Sequence, residues 1–118
     1  MRRVDSVLRD WDGERAVVSW DERTGSWLFV AIHSTRLGPA AGGTRMKSYD
    51  SPAAGLRDAC RLAGAMTLKM AVAGLPMGGG KSVLAVPPGL TPEDRHHVLL
   101  RHRENVEAIL PAFGVDTR

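Results

Sequence analysis

With 118 residues, 43% of them hydrophobic and 25% charged, the chain has the composition of one soluble globular domain and room for a single core. Its formal charge of +3 comes from arginines that alternate with Asp and Glu instead of forming a block, and its three Trp, one Tyr and two Phe lie in no aromatic-basic motif, so nucleic acid is not an expected partner. A lone cysteine, Cys60, excludes an internal disulfide; no apolar run follows Met1-Arg-Arg or nears the roughly 18 residues of a membrane span, which predicts a cytoplasmic protein with no membrane partner.

Arg15-Ala-Val-Val-Ser-Trp20 and Trp27-Leu-Phe-Val-Ala-Ile-His33 are rich in β-branched and aromatic residues, and the turn-forming stretch Asp21-Glu-Arg-Thr-Gly-Ser26 joins them, which predicts an antiparallel hairpin. From Leu37 to Tyr49, Gly38, Pro39, Gly42 and Gly43 predict an irregular loop whose backbone approaches something closely. Ser51-Pro52 reads as an N-cap with proline in the first turn, and Leu56, Ala59, Cys60, Ala63, Met66 and Met70 form one apolar stripe on a helix from about 52 to 71, stopped by Gly74. Lys81-Ser-Val-Leu-Ala-Val86 is the nearly continuous apolar run of a strand buried on both faces, ended by Pro87-Pro88-Gly89. Thr91-Pro92-Glu93-Asp94 then caps a second helix to about 110, with Val98, His102, Val106 and Ile109 recurring along it. The order predicts an α/β domain: a mixed sheet with an N-terminal antiparallel hairpin, covered by helices.

The chemistry concentrates in Leu75-Pro-Met-Gly-Gly-Gly-Lys-Ser-Val-Leu84. A phosphate loop needs GxxxxGK[ST] opening a helix, but Leu75 occupies the first glycine position and a strand follows Lys81. A dinucleotide fingerprint fails as well, because Val83 stands where the third glycine belongs, so no cofactor-binding residue is expected here. Lys69, near the end of the first long helix, points to the same loop. Two ammonium groups in a partly dry cleft disfavour each other's charge, leaving one able to take a proton while the other holds an anion. The plainer alternative is a solvated helix lysine and a strand-edge lysine. No HExxH or Cys-His framework connects His33, His96, His97 and His102, so no metal is expected.

Leu37-Gly-Pro-Ala-Ala-Gly-Gly-Thr-Arg-Met46, Leu62-Ala-Gly-Ala-Met-Thr-Leu-Lys69 and Gly74-Leu-Pro-Met-Gly-Gly-Gly-Lys81, in that order, closely resemble the amino-terminal domain of the glutamate/leucine/phenylalanine/valine dehydrogenase family, over residues 10 to 107. Their wording is most similar to its phenylalanine-specific branch. The resemblance implies NAD-dependent oxidative deamination of an L-amino acid to its 2-oxo acid and ammonia. It implies that Lys69 binds the substrate carboxylate with Gly42, Gly43 and Met66 close by. Lys81 would be the catalytic amine, exchanging the proton released when water adds to the oxidised substrate. Ala41, where leucine-specific relatives carry a larger side chain, favours an aromatic substrate. The family continues into a loop with a catalytic aspartate and a separate NAD-binding Rossmann domain. Residues 1–118 are accordingly expected to be one substrate-binding and dimerisation domain, with NAD held mainly by a domain missing from this chain, and to be inactive alone. Gly114-Val-Asp116 is similar to the aspartate motif at too short a spacing, which sets Asp116 against a plain surface acid. The competing reading is a non-catalytic assembly domain of a homo-oligomer, with exposed strand edges and Trp20, Trp27 and Phe29 available for pairing between chains.

Overall fold

The computed structural model describes residues 3–113; Asp116 lies outside them, as does the side chain of Ile109 outside what is described. A short helix α1 (Val4–Arg9) precedes the hairpin of β1 (Arg15–Asp21) and β2 (Ser26–Ser34). Two short strands follow, β3 (Ala40–Ala41) and β4 (Thr44–Lys47), then α2 (Pro52–Val72), β5 (Gly78–Ala85) and α3 (Pro92–Phe113). β1 and β2 pair antiparallel with Val18 opposite Phe29 and Trp20 opposite Trp27. β5 is the central strand: β2 runs antiparallel on one side, and β3 and β4 run parallel on the other.

The helices form where the sequence supplies caps and stripes. Ala54 N donates to Ser51 Oγ at 3.1 Å, Pro52 occupies the first turn, and Gly74 turns the chain with φ +71°. At α3, Asp94 N donates to Thr91 Oγ1 at 3.1 Å. Alternation along the strands then sorts the core into two layers. Phe29, Ala31, Val83 and Ala85 pack under Leu56, Ala59, Cys60 and Ala63 of α2. On the opposite face, Leu28, Leu84 and Val86 meet Val98, while Val30, Ile32 and Ala40 meet Val106, both valines from α3. The sheet is thus covered on both sides, which is why β2 and the apolar part of β5 read as unbroken hydrophobic runs.

Three expectations need correction. Gly78, Gly79 and Gly80 lie inside β5, not in a loop before it, and all three are buried. The stretch from Leu37 to Tyr49 is not wholly irregular, because β3 and β4 add two parallel pairings to the edge of β5. Phe29 is 1% exposed and belongs to the core; the apolar side chains left open on the edge strand are Val18 and Trp20, at 45% and 48%. The underlying reason is the same in each case: the partner that buries the residue comes from a distant part of the chain.

Candidate functional site

Because β3 and β4 both run beside β5, the Gly42-Gly43 pair between them is carried alongside Gly80 and Lys81. Ser82 N donates to Gly43 O at 3.1 Å. A methyl group at Gly42 would lie 1.6 Å from Gly80 O, so only a residue without Cβ allows the two backbones this close. A methyl group at Gly43 would lie 3.2 Å from Lys81 Nζ, which places the lysine amine against bare backbone.

Lys81 and Gly42 line a cavity of about 440 Å³ between the sheet and α3. Val30, Ile32, Ala40 and Val106 give it apolar walls. Thr44, Ser82, His102, Arg103 and Glu107 give it polar ones, with Arg103 Nε donating to Glu107 Oε1 at 3.1 Å. His102 is 9% exposed; its Nε2 lies 3.4 Å from Thr44 Oγ1, and its buried Nδ1 has no hydrogen-bond partner among the described residues. Burial pushes the His102 pKa down, so this imidazole is neutral at neutral pH. A small molecule with an apolar body and a polar or anionic end fits such a lining.

Of the residues singled out from the sequence, Lys81, Gly42 and Gly43 come together here. Lys69 and Met66 do not line the cavity: they sit on the last turns of α2, Lys69 exposed and Met66 half-buried. Alternation from Val83 and Ala85 assigns the Lys81 side chain to the face of the sheet that α2 covers, opposite the cavity, while Lys69 stands exposed on α2. Thr44, Ser82, Arg103 and Glu107 were not anticipated: Thr44 and Ser82 lie within the quoted glycine motifs without being singled out, and nothing in the local sequence marks Arg103 and Glu107. His102 carried a signal, as the polar member of the stripe Val98, His102, Val106.

Elsewhere, polar side chains tie elements together. Burial alone would raise the Asp58 carboxyl, but hydrogen bonds from Tyr49, Arg61 and Arg45 outweigh it and hold its pKa below the ordinary range; Tyr49 is pushed up to about 12 by burial and by Asp58. The same contest at Asp21 is won by hydrogen bonds from Thr24 within the hairpin turn and from His97, which links that turn to α3; together they lower the carboxyl. Cys60 is buried, and burial pushes its thiol up to about 11. Among the described residues no three His, Cys, Asp or Glu side chains could jointly hold a metal ion, and no helix is long and apolar enough to cross a membrane.

The sequence model of the Glu/Leu/Phe/Val dehydrogenase dimerisation domain matches residues 17–117. Leucine dehydrogenase of Bacillus subtilis (strain 168) is 48% identical over 81 residues, which are 69% of this chain and 22% of that protein. The chain therefore spans under a quarter of that relative's length. Among solved structures, L-tryptophan dehydrogenase from Nostoc punctiforme superposes with a TM-score of 0.76 at 33% identity, covering 89% of this chain and 31% of that one. A hetero-hexameric glutamate dehydrogenase from Thermus thermophilus superposes with a TM-score of 0.67 at 25% identity, covering 90% and 29%.

Proposed function

Since the chain belongs to the Glu/Leu/Phe/Val dehydrogenase family, we propose that it is the substrate-binding and catalytic-lysine domain of an NAD-dependent L-amino-acid dehydrogenase. The reaction is oxidative deamination of an apolar L-amino acid to its 2-oxo acid and ammonia. The observation that carries the reading is the seat of Lys81: an amine held against the Gly43 backbone, on a strand whose glycines let its neighbours approach. Lys69 holds the substrate carboxylate, with Met66 and the Gly42-Gly43 backbone beside the substrate. Lys81 accepts at Nζ the proton released when water adds to the oxidised α-carbon, and returns it when ammonia leaves. Ala41 is half-buried opposite Gly79 and presents only a methyl group, which supports phenylalanine over leucine by about 1–3 kcal/mol of discrimination.

The described residues do not fit a dinucleotide. Gly78, Gly79 and Gly80 are buried inside a strand, whereas a pyrophosphate needs free amides where a strand turns into a helix. NAD and the redox step are assigned to sequence beyond these 118 residues, and this chain's groups are given binding and proton transfer alone. A cytoplasmic location belongs to the same proposal.

Calorimetric titration with phenylpyruvate tests it. Lys69→Ala is expected to weaken binding about tenfold or more, as loss of a charged hydrogen bond to a carboxylate does, and Lys81→Ala to leave binding largely intact. The chain mixed with L-phenylalanine and NAD is expected to show no turnover. Turnover by these residues alone, or the reverse pattern for the two lysines, overturns the assignment.

A second role as an assembly domain has its own support in the open edge strand β1, where Val18 and Trp20 stand exposed, and in the matched domain's description as a dimerisation domain. On that reading the chain forms a homo-oligomer, and Trp20→Lys shifts it to monomer in sedimentation without lowering its melting temperature.

A further inference from the structure

Away from the cavity, three side chains form an unbroken hydrogen-bonded line from the surface to the sheet. Asp12 Oδ1 lies 2.8 Å from His33 Nε2, and His33 Nδ1 lies 2.8 Å from Thr67 Oγ1. A carboxylate only accepts, so His33 Nε2 carries a proton and donates it to Asp12. The contact also holds the Asp12 carboxyl below its ordinary pKa. Trp11 flanks the imidazole with ring centroids 6.1 Å apart. At the far end, Thr67 rests directly on β5: a methyl group at Gly79 would lie 2.2 Å from both Thr67 N and Oγ1 and 2.6 Å from Ala63 O.

This anchor is placed where α2 has little else to hold it. The buried residues of α2 end at Ala63, and Leu68, Lys69, Ala71 and Val72 are exposed, so apolar packing does not fix the last turns of the helix. Thr67 lies two residues before Lys69 on the helix, and Gly79 two residues before Lys81 on the strand. The close approach of Gly79 to the α2 backbone therefore relates the two segments that carry the lysines. We propose that Thr67, tethered through His33 to Asp12, is a positioning residue that sets where Lys69 stands relative to Lys81. The inference rests on the reading of those lysines as the pair that handles the substrate.

Thr67→Val keeps the shape of the side chain and removes the hydroxyl; Thr67→Ser keeps the hydroxyl; His33→Leu removes the middle of the line. Two measurements on the 118-residue chain decide. The first is phenylpyruvate affinity by calorimetry. The second needs no ligand: mass-spectrometric yield of the Lys69–Lys81 product after treatment with a bifunctional amine reagent, read against products of Lys47, the other lysine in the sequence. Thr67→Val and His33→Leu are expected to bind phenylpyruvate about tenfold more weakly and to lose Lys69–Lys81 product, while Thr67→Ser retains both. Melting curves identify any variant that is merely unfolded. Wild-type yield and affinity in Thr67→Val, or equal impairment in Thr67→Ser, overturn the positioning role. If the unaltered chain binds no phenylpyruvate, the substrate-domain reading falls, and the cross-linking comparison still decides the geometry of the two lysines.

Discussion

Gly42→Ala tests the closest approach in the site. The added methyl would begin 1.6 Å from Gly80 O, whereas ordinary contact begins at 3.4 Å, so the strand segments must part by about 1.8 Å or the atoms overlap. Parting them breaks the neighbouring bond from Ser82 N to Gly43 O, now 3.1 Å, because its donor and acceptor leave hydrogen-bonding range. An unmade buried hydrogen bond costs about 1–3 kcal/mol. Forced overpacking costs about another 1–3 kcal/mol. The expected loss of about 2–6 kcal/mol is a large share of the roughly 5–15 kcal/mol that holds a domain folded. Urea unfolding followed by tryptophan fluorescence measures it, and phenylpyruvate affinity should fall in parallel as Gly43 moves away from Lys81. Gly43→Ala is the control, since its methyl meets the tip of a lysine that can swing aside. A Gly42→Ala protein within about 0.5 kcal/mol of the original would refute the claim that this contact is tight and required.

Acid unfolding should depend on Asp21. Its folded pKa is lowered, so the unfolded chain binds the extra proton first; the stabilisation is fully present above the ordinary carboxylate value of 3.8 and is lost as pH falls through the folded value. Asp21→Asn should flatten the acid limb of a stability curve below that pH and leave the neutral-to-alkaline slope unchanged. Cys60, buried with its thiol pushed up to about 11, should resist a thiol-specific reagent in the native state and react at once in denaturant. Fast native labelling would show that α2 does not sit on the sheet as described.

Elements governed by neighbours in sequence were legible; those governed by distant partners were not. Ser51-Pro52 and the stripe from Leu56 to Ala63 define α2 within one stretch of chain, and the hairpin carries its own turn. Helix α1 spans six residues with one buried side chain, Val7, too little to produce a periodic pattern. Glycine-rich sequence ordinarily marks loops, yet Gly78, Gly79 and Gly80 are in a strand because Ser34, Thr67 and Ala40 crowd in from three other elements. The same holds for the site. Lys81, Gly42 and Gly43 were found through their motif, but His102 and Arg103 reach the cavity from a helix that begins after β5 has ended, and no local rule says which residues that helix turns towards Thr44.

The strand in the middle of the sheet is also the last of that sheet's strands in chain order. β1 and β2 can zip together early, but β2's other edge, and both β3 and β4, have nothing to join until Gly78–Ala85 has emerged. Nascent chain shorter than this carries an open, strongly apolar ribbon, the kind of surface that chaperones hold and that aggregates recruit. Completion of the sheet is therefore a late, long-range event, and changes in β5 should reduce the yield of soluble protein during synthesis more severely than equally destabilising changes in the hairpin.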